Sequence, residues 1–186
     1  MILATHNSLS YLKPQWWLRP FAWVGRCQNL TIKEQLELGV KYFDIRMKFK
    51  KGEWMPESGH GLLTYKCSIY YIMQIINKHK SCVVRLTLEN KKAPDYMKTF
   101  FKMHCKALEK SNKNITFVGG FQKGTWEHLY DFHNNVDVIE KYWLFSKKQW
   151  FPFPFMYALV ANKEYKKIET DGYLMLDFVD IPDKVF

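Results

Sequence analysis

The chain opens with a short apolar run that ends abruptly in polar side chains, and this pattern constrains the fold more than any other. Residues 1–4 are Met-Ile-Leu-Ala, and Thr-His-Asn-Ser follows directly at residues 5–8. A buried parallel strand is apolar along nearly its whole length, and in barrels of alternating strands and helices the functional residues lie where strands end. His6 is therefore expected to face a pocket. Taken alone, the run is also typical of a frayed terminal strand with a structural histidine.

Three later strand-like runs also end in polar groups. Their polar residues are Asp44 and Arg46, Glu89 and Asn90, and Asp177. Asp44 and Arg46 are two residues apart on a predicted strand over residues 40–46, so their side chains leave the same face. A further candidate is His60, which follows a predicted loop over residues 50–58. Gly59 and Gly61 on either side of it let backbone or substrate approach the imidazole closely.

Helical patterns lie between these runs. Thr31 with Glu34 three residues on forms a capping box, and residues 68–80 space their apolar side chains as one helical face. A third helix is predicted over residues 94–110. Its apolar side is predicted to consist of Tyr96, Phe100, Met103 and Ala107. Residues 11–27 are rich in Trp, Pro and Arg without a clean period, which predicts a long loop.

About six or seven short strands alternating with helices predict a parallel α/β fold, and polar strand ends on one rim predict a barrel. A full barrel of this type takes about 250 residues, whereas this chain has 186. We therefore expect a single domain over residues 1–186, a compact, distorted TIM-type (β/α) barrel with short or missing helices. An open doubly wound sheet is the alternative, although no Gly-rich phosphate loop follows an early strand.

The formal net charge of +10 favours anionic partners such as phosphoesters, acidic membrane surfaces or nucleic acid. The basic residues are scattered and match no nucleic-acid-binding module, so no nucleic-acid partner is expected. The four cysteines form no C-x-x-C pair, which predicts reduced structural thiols rather than a zinc or redox motif. No apolar run has the length of a membrane span, and no signal peptide is recognisable; the expectation is a cytoplasmic chain, or a secreted one if a signal has been removed.

Four motifs, taken in order, point to a known family. They are ATHNS at residues 4–8, LGVKYFDIR at residues 38–46, GHG at residues 59–61 and RLTLEN at residues 85–90. Together they resemble the X domain of phosphatidylinositol-specific phospholipase C, and residues 174–178 resemble it again. The site pattern is most similar to that of the bacterial, calcium-independent members. This resemblance implies the compact barrel fold.

The resemblance also implies roles for individual residues. His6 would be the general base that takes the inositol 2-hydroxyl proton, Arg46 the phosphate clamp, and His60 the acid that protonates the leaving diacylglycerol oxygen. Asp177 would orient His6 and stabilise its protonated form. Four further residues are expected to bind substrate, namely Asn7, Asp44, Arg85 and Glu89. The implied reaction releases a cyclic inositol phosphate; cleavage of another lipid head group or a glycerophosphodiester, and an inactive module that binds anionic lipid, are the alternatives.

Calcium-dependent members of the family resemble the chain at Asn7 and Glu89, with acidic ligands near Asp44. Arg46 stands where a second acidic ligand lies in those members, as in the calcium-independent ones. A guanidinium would repel the ion, so no cofactor is expected, with calcium bound by Asn7, Asp44 and Glu89 as the alternative.

Two aromatic loops follow predicted strands and could lie on the rim that holds the site. They contain Trp16, Trp17 and Trp23, and Trp150, Phe151, Phe153 and Phe155. Tryptophan beside basic residues suits a membrane interface, so peripheral contact with a lipid surface is expected. The alternative is that these side chains cover the core. The oligomeric state is not predicted.

Overall fold

The computed structural model describes residues 2–90, 93–122, 129–131, 142–143, 154–162 and 173–180. The strands are β1 (Ile2–Thr5), β2 (Tyr42–Lys48), β3 (Glu57–His60), β4 (Leu63–Tyr65), β5 (Cys82–Leu88), β6 (Ile115–Gln122), β7 (Leu129–Asp131), β8 (Tyr142–Trp143) and β9 (Tyr173–Leu176). The helices are α1 (Ala22–Gly25), α2 (Ile32–Glu37), α3 (Ile69–Ile76), α4 (Asp95–Ser111) and α5 (Pro154–Ala161), and a 3₁₀ turn covers Trp16–Phe21. Within the described ranges, no helix has the length and apolar character needed to cross a bilayer.

The strands form one sheet in the order β7-β6-β5-β2-β1-β9-β8, with the β3–β4 hairpin attached to β2. All neighbours along this path from β6 to β8 are parallel, and β7 is antiparallel to β6. The first strand and the last described strand pair directly, so the two ends of the chain lie side by side in the sheet. This arrangement confirms the predicted distorted TIM-type barrel with few helices, and an open doubly wound sheet is excluded.

The alternation of side chains along the strands separates two cores. The larger core lies between the sheet and the helices and includes Phe43, Ile45 and Leu86. A smaller cluster on the opposite face is formed by Ala4, Tyr42, Val83, Val118 and Met175. Asp44 and Arg46 lie two and four positions further along β2, and their side chains therefore leave the same face of the strand as Tyr42. The small apolar cluster therefore lies on the same face of the sheet as the polar side chains at the strand ends, next to them along the strands.

The predicted loop over residues 50–58 leads into a β-hairpin, and its last two residues already belong to β3. β3 pairs with β2 through Met47 and Ser58, and the tight turn after His60 has Gly61 at a φ of 55°. A Cβ on Gly59 would lie 2.7 Å from the carbonyl oxygen of Leu63. The geometry of the hairpin accounts for both glycines and confirms the close backbone approach expected at Gly59.

Two other local predictions were wrong. The predicted loop over residues 11–27 contains the 3₁₀ turn and α1. Helix α4 buries a face one residue away from the predicted one, formed by Met97, Phe101, His104, Cys105 and Leu108. Tyr96 and Met103 are exposed. Apolar residues occur on both faces of this helix, so their spacing alone did not identify the face that packs on the sheet.

Candidate active site

His6 and Asp177 follow two strands that are hydrogen-bonded to each other. Thr5 of β1 is in parallel register with Leu176 of β9, so the next residues lie side by side on the same rim. Nδ1 of His6 is 2.7 Å from Oδ1 of Asp177, and both side chains are buried. The imidazole is therefore held in one orientation by a carboxylate from the far end of the chain.

Arg46 lies between the two histidines. Its Nη2 is 2.8 Å from Nε2 of His6, and its Nη1 is 2.9 Å from Nδ1 of His60. Because a guanidinium only donates, both of these ring nitrogens accept. In His6 the ring proton is therefore on Nδ1, where Asp177 accepts it, and the basic lone pair is on Nε2. The two imidazole centroids are 6.1 Å apart.

Asp44 and Glu89 both accept hydrogen bonds from the guanidinium of Arg46. Oδ2 of Asp44 accepts from Nε and Nη2 of Arg46 at 3.3 and 3.2 Å, and from the backbone N–H of Asn7 at 3.0 Å. Burial alone would raise the pKa of Asp44, but the positive charges of Arg46 and Arg85 outweigh it and hold the pKa at about 2. Asp44 is thus ionised and fixes both Arg46 and the turn after β1.

His60 is less enclosed than His6, with 21% of its side chain exposed. The hairpin is fixed near the site because the N–H of Gly61 donates to Oε1 of Glu89 at 2.7 Å, while Oε2 of Glu89 accepts from Arg46 at 3.3 Å. Burial lowers the pKa of His60 well below its usual range, and the adjacent charge of Arg46 lowers it further. This environment favours the neutral form of His60.

The structure brings the predicted site residues together at one rim. His6, His60, Asp44 and Glu89 contact the guanidinium of Arg46. Asn7 and Asp177 lie one contact further out, bonded to Asp44 and His6. Arg85 is one row deeper, in register with Asp44 on the neighbouring strand. Its substrate-binding role stays a prediction, as do the roles of the others.

Two buried amides near the site were not predicted from the sequence. Nε2 of Gln28 donates to the carbonyl oxygens of His6 and Leu176 at 3.1 and 2.8 Å, and its Oε1 accepts from the N–H of Val179 at 3.2 Å. Asn162 donates to the carbonyl oxygen of Asp177 at 2.7 Å. These amides fix the backbone on both sides of the His6–Asp177 pair. No local pattern distinguishes a polar residue in a loop as a support of this kind.

The alternative calcium ligands do not fit a cation in this arrangement. The guanidinium of Arg46 already contacts Oδ2 of Asp44 and Oε2 of Glu89, at 3.2 and 3.3 Å. An ion bound to both carboxylates would face this positive charge at close range. The expectation of a metal-free reaction stays a prediction.

The first aromatic loop is exposed. Trp16, Trp17 and Trp23 are 74%, 57% and 53% exposed, so they do not cover the core. Phe155, at the start of α5, is also exposed, and α5 packs against α1. Trp150, Phe151 and Phe153 lie outside the described residues.

Comparisons with known proteins give a match at the level of structure. No protein-family model and no curated protein sequence matches the chain. Among solved structures, the phosphatidylinositol-specific phospholipase C of Listeria monocytogenes superposes with a TM-score of 0.60 at 15% identity, over 95% of this chain and 87% of that chain. A Staphylococcus aureus phosphatidylinositol-specific phospholipase C, studied for the modulation of its membrane binding, gives a TM-score of 0.62 at 15% identity, over 95% and 85%.

The chain thus has a compact TIM-type barrel fold. More particularly, its fold is that of the bacterial phosphatidylinositol-specific phospholipases C, as the structural match covers nearly the whole chain. At this level of identity the likeness extends to the fold alone, and the chemistry of the site is argued from its own residues.

Proposed function

We propose that the protein is a phosphodiesterase that cleaves phosphatidylinositol, or a related phosphodiester with a neighbouring hydroxyl, by intramolecular attack. The observation that carries this proposal is the guanidinium of Arg46 bonded to both His6 and His60, with the histidine rings 6.1 Å apart. A base, an acid and a cation for phosphoryl oxygens are the groups that such a reaction needs. The phospholipase fold supports the same chemistry.

The reaction begins when substrate replaces the internal contacts of Arg46. Phosphoryl oxygens accept from the planar guanidinium, which frees Nε2 of His6. This nitrogen takes the proton of the hydroxyl next to the phosphate, and the hydroxyl oxygen forms a bond to phosphorus. The resulting imidazolium is stabilised by Asp177 through the 2.7 Å contact at Nδ1.

His60 completes the reaction as the acid. The bond between phosphorus and the diacylglycerol oxygen breaks, and this oxygen takes a proton from the imidazolium of His60. Burial and the charge of Arg46 disfavour that imidazolium. A bound phosphodiester anion offsets this charge and so favours protonation of His60. The products are a cyclic phosphate and a free alcohol.

The exposed aromatic side chains support a lipid substrate. Trp16, Trp17 and Trp23 project from the segment after β1, the strand that precedes His6. Indole rings with basic neighbours such as Arg19 suit the interface of an anionic membrane. In the proposed function this surface holds the enzyme on the lipid from which it takes its substrate.

The test is phosphorus NMR of the products formed from phosphatidylinositol vesicles, once with calcium and once with a chelator. We expect a cyclic inositol phosphate at equal rates in both. His6→Ala and His60→Ala should abolish turnover without unfolding the chain, whereas His79→Ala, which changes an exposed histidine outside the site, should retain it. Full activity of either site variant would refute the proposal.

A second substrate arm separates the alternatives. A phosphodiester without a free neighbouring hydroxyl cannot react by internal attack, so it should not be cleaved. Its hydrolysis would favour a water-dependent phosphodiesterase on another head group. Vesicle binding without any cleavage would instead favour a lipid-binding module.

A further inference from the structure

A buried thiol lies beside the His6–Asp177 pair and has no part in the proposed reaction. Cys27 is fully buried, and its Sγ lies within 4.8 Å of ligand atoms of both His6 and Asp177, which in turn lie within that distance of each other. The three residues come from three different segments of the chain. Together they offer one nitrogen, one sulfur and one oxygen atom as possible ligands of a single metal ion.

Two polar atoms beside this set are not satisfied by protein groups. Among the described residues, Oδ2 of Asp177 and Oδ1 of Asn7 are buried without an N–H or O–H donor, although the Asp177 carboxylate also interacts with the Cys27 thiol. The Asn7 amide reaches the thiol itself, with Nδ2 at 3.9 Å from Sγ of Cys27. A buried carboxylate oxygen without a donor is costly, and a bound cation would remove that cost.

The ligand types match zinc rather than calcium. Zinc is bound in tetrahedral sites by thiolate, imidazole and carboxylate, and its bond lengths place two ligand atoms about 3.5 Å apart. The ligand atoms lie within 4.8 Å of one another, so pairs at the upper end of this range would shorten by about 1 Å. Nδ1 of His6 and Oδ1 of Asp177, which are 2.7 Å apart, would instead separate by a smaller distance. Asp177 binds the Nδ1 edge of His6, opposite the edge that Arg46 contacts, and a thiolate with a carboxylate would offset the charge of the ion.

We propose that His6, Cys27 and Asp177 bind one zinc ion, with water as the fourth ligand, and that zinc thereby inhibits the enzyme. On binding, the thiol proton of Cys27 passes to solvent and the thiolate coordinates the metal. The Nδ1 proton of His6 moves to Nε2, so that Nδ1 can coordinate the metal and the contact between Nε2 and Arg46 is lost. His6 then no longer has the Asp177 carboxylate to stabilise its protonated form. The inhibition rests on the proposed phosphodiesterase function, whereas the binding of zinc does not.

Binding is tested on the full chain with cobalt, in a buffer that keeps thiols reduced. Cobalt should give a thiolate-to-metal charge-transfer band at one ion per chain, and added zinc should remove it. Cys27→Ser and Cys27→Ala should lose the band, while Cys82→Ser should keep it because that buried thiol is not part of the set. No band, or a band that persists in both folded Cys27 variants, would overturn the site.

Inhibition is tested by adding zinc to the phosphatidylinositol assay. The Cys27 variants should retain wild-type activity within about twofold without metal, and they should need at least about tenfold more zinc for half-inhibition. Equal inhibition of wild type and variants would refute the regulatory part. A chain that binds cobalt as described but cleaves no phosphodiester would refute the proposed function and still support the metal site.

Discussion

The two histidines of the site are held by different means. His6 follows a central parallel strand, is 1% exposed, and has a carboxylate on one ring nitrogen and a guanidinium on the other. His60 ends a hairpin strand, has a side chain that is 21% exposed, and is bonded to Arg46 at Nδ1. A general base benefits from a fixed tautomer, which Asp177 gives to His6. A general acid must first become protonated, so His60 needs its contact with the cationic Arg46 to be replaceable. We therefore interpret the His6 side as preorganised and the His60 side as adjustable.

The largest expected effect comes from the preorganised side. Asp177→Asn keeps the shape of the side chain but removes the charge that stabilises protonated His6, so we expect kcat/KM to fall about 10³-fold. The measurement is initial-rate cleavage of phosphatidylinositol vesicles, with Asp95→Asn as a control at an exposed carboxylate. A loss below tenfold would show that the pair is not catalytic.

Arg46 joins the two sides, and Arg46→Lys should separate them. An ammonium cannot bond two imidazoles and two phosphoryl oxygens as a planar fork does, so kcat/KM should fall about 10²-fold. Arg19→Lys, at an exposed position, is the control in the same assay. Activity close to wild type would mean that Arg46 acts only through its charge.

Gln28 and Gln35 offer a matched pair for the backbone of the preorganised side. Both are fully buried, but Gln28 bonds the carbonyls of His6 and Leu176, whereas Gln35 bonds those of Ser8 and Leu30. Replacing either by Leu should cost about 1–3 kcal/mol of unfolding free energy.

Only Gln28→Leu should also lower kcat, by roughly tenfold, and alter the pH profile, because it releases His6 and the turn after β9. Urea unfolding and pH–rate curves of both variants make this comparison. Equal kinetic losses in the two variants would indicate general destabilisation instead.

The smallest effect concerns the protonation of His60. Its folded pKa lies below the unfolded value of about 6.5, so the unfolded chain takes up the proton first and acid favours unfolding. The stability that neutral His60 contributes is present above that pH and is lost as the pH falls towards the folded pKa. The loss is at most about 1.4 kcal/mol per pH unit.

His60→Asn should therefore lose less stability than wild type between pH 7.5 and 5.0 in urea unfolding. His79→Asn, at an exposed imidazole, is the control. Identical losses in wild type and His60→Asn would contradict the lowered pKa and with it the adjustable role of this histidine.

Much of this architecture could be predicted from local sequence. The predicted strand over residues 82–88 coincides with β5, and the capping box at Thr31 and Glu34 is present with both reciprocal hydrogen bonds. The same-face relation of Asp44 and Arg46 follows from the strand period alone, and the two side chains are in contact. Elements whose pattern depends on neighbours in sequence were thus predicted well.

Two features could not be predicted in this way: which face of α4 is buried, and the hairpin that contains His60. Both depend on which surface of the sheet a segment meets, and no spacing within the segment records that choice. Cys27 shows the same limit, because widely spaced cysteines without a metal motif gave no reason to expect a thiol beside His6 and Asp177.

The sequence by itself determined the chemistry at the strand ends: a histidine after the first strand, an arginine on the second, and a carboxylate after the last. Only the tertiary structure decided that these groups meet. Nδ1 of His6 and Oδ1 of Asp177 are 2.7 Å apart although 171 positions separate the two residues. Parallel pairing of β1 with β9, the last described strand, produces this contact, and pairing between opposite ends of the chain depends on the whole sheet rather than on any local pattern.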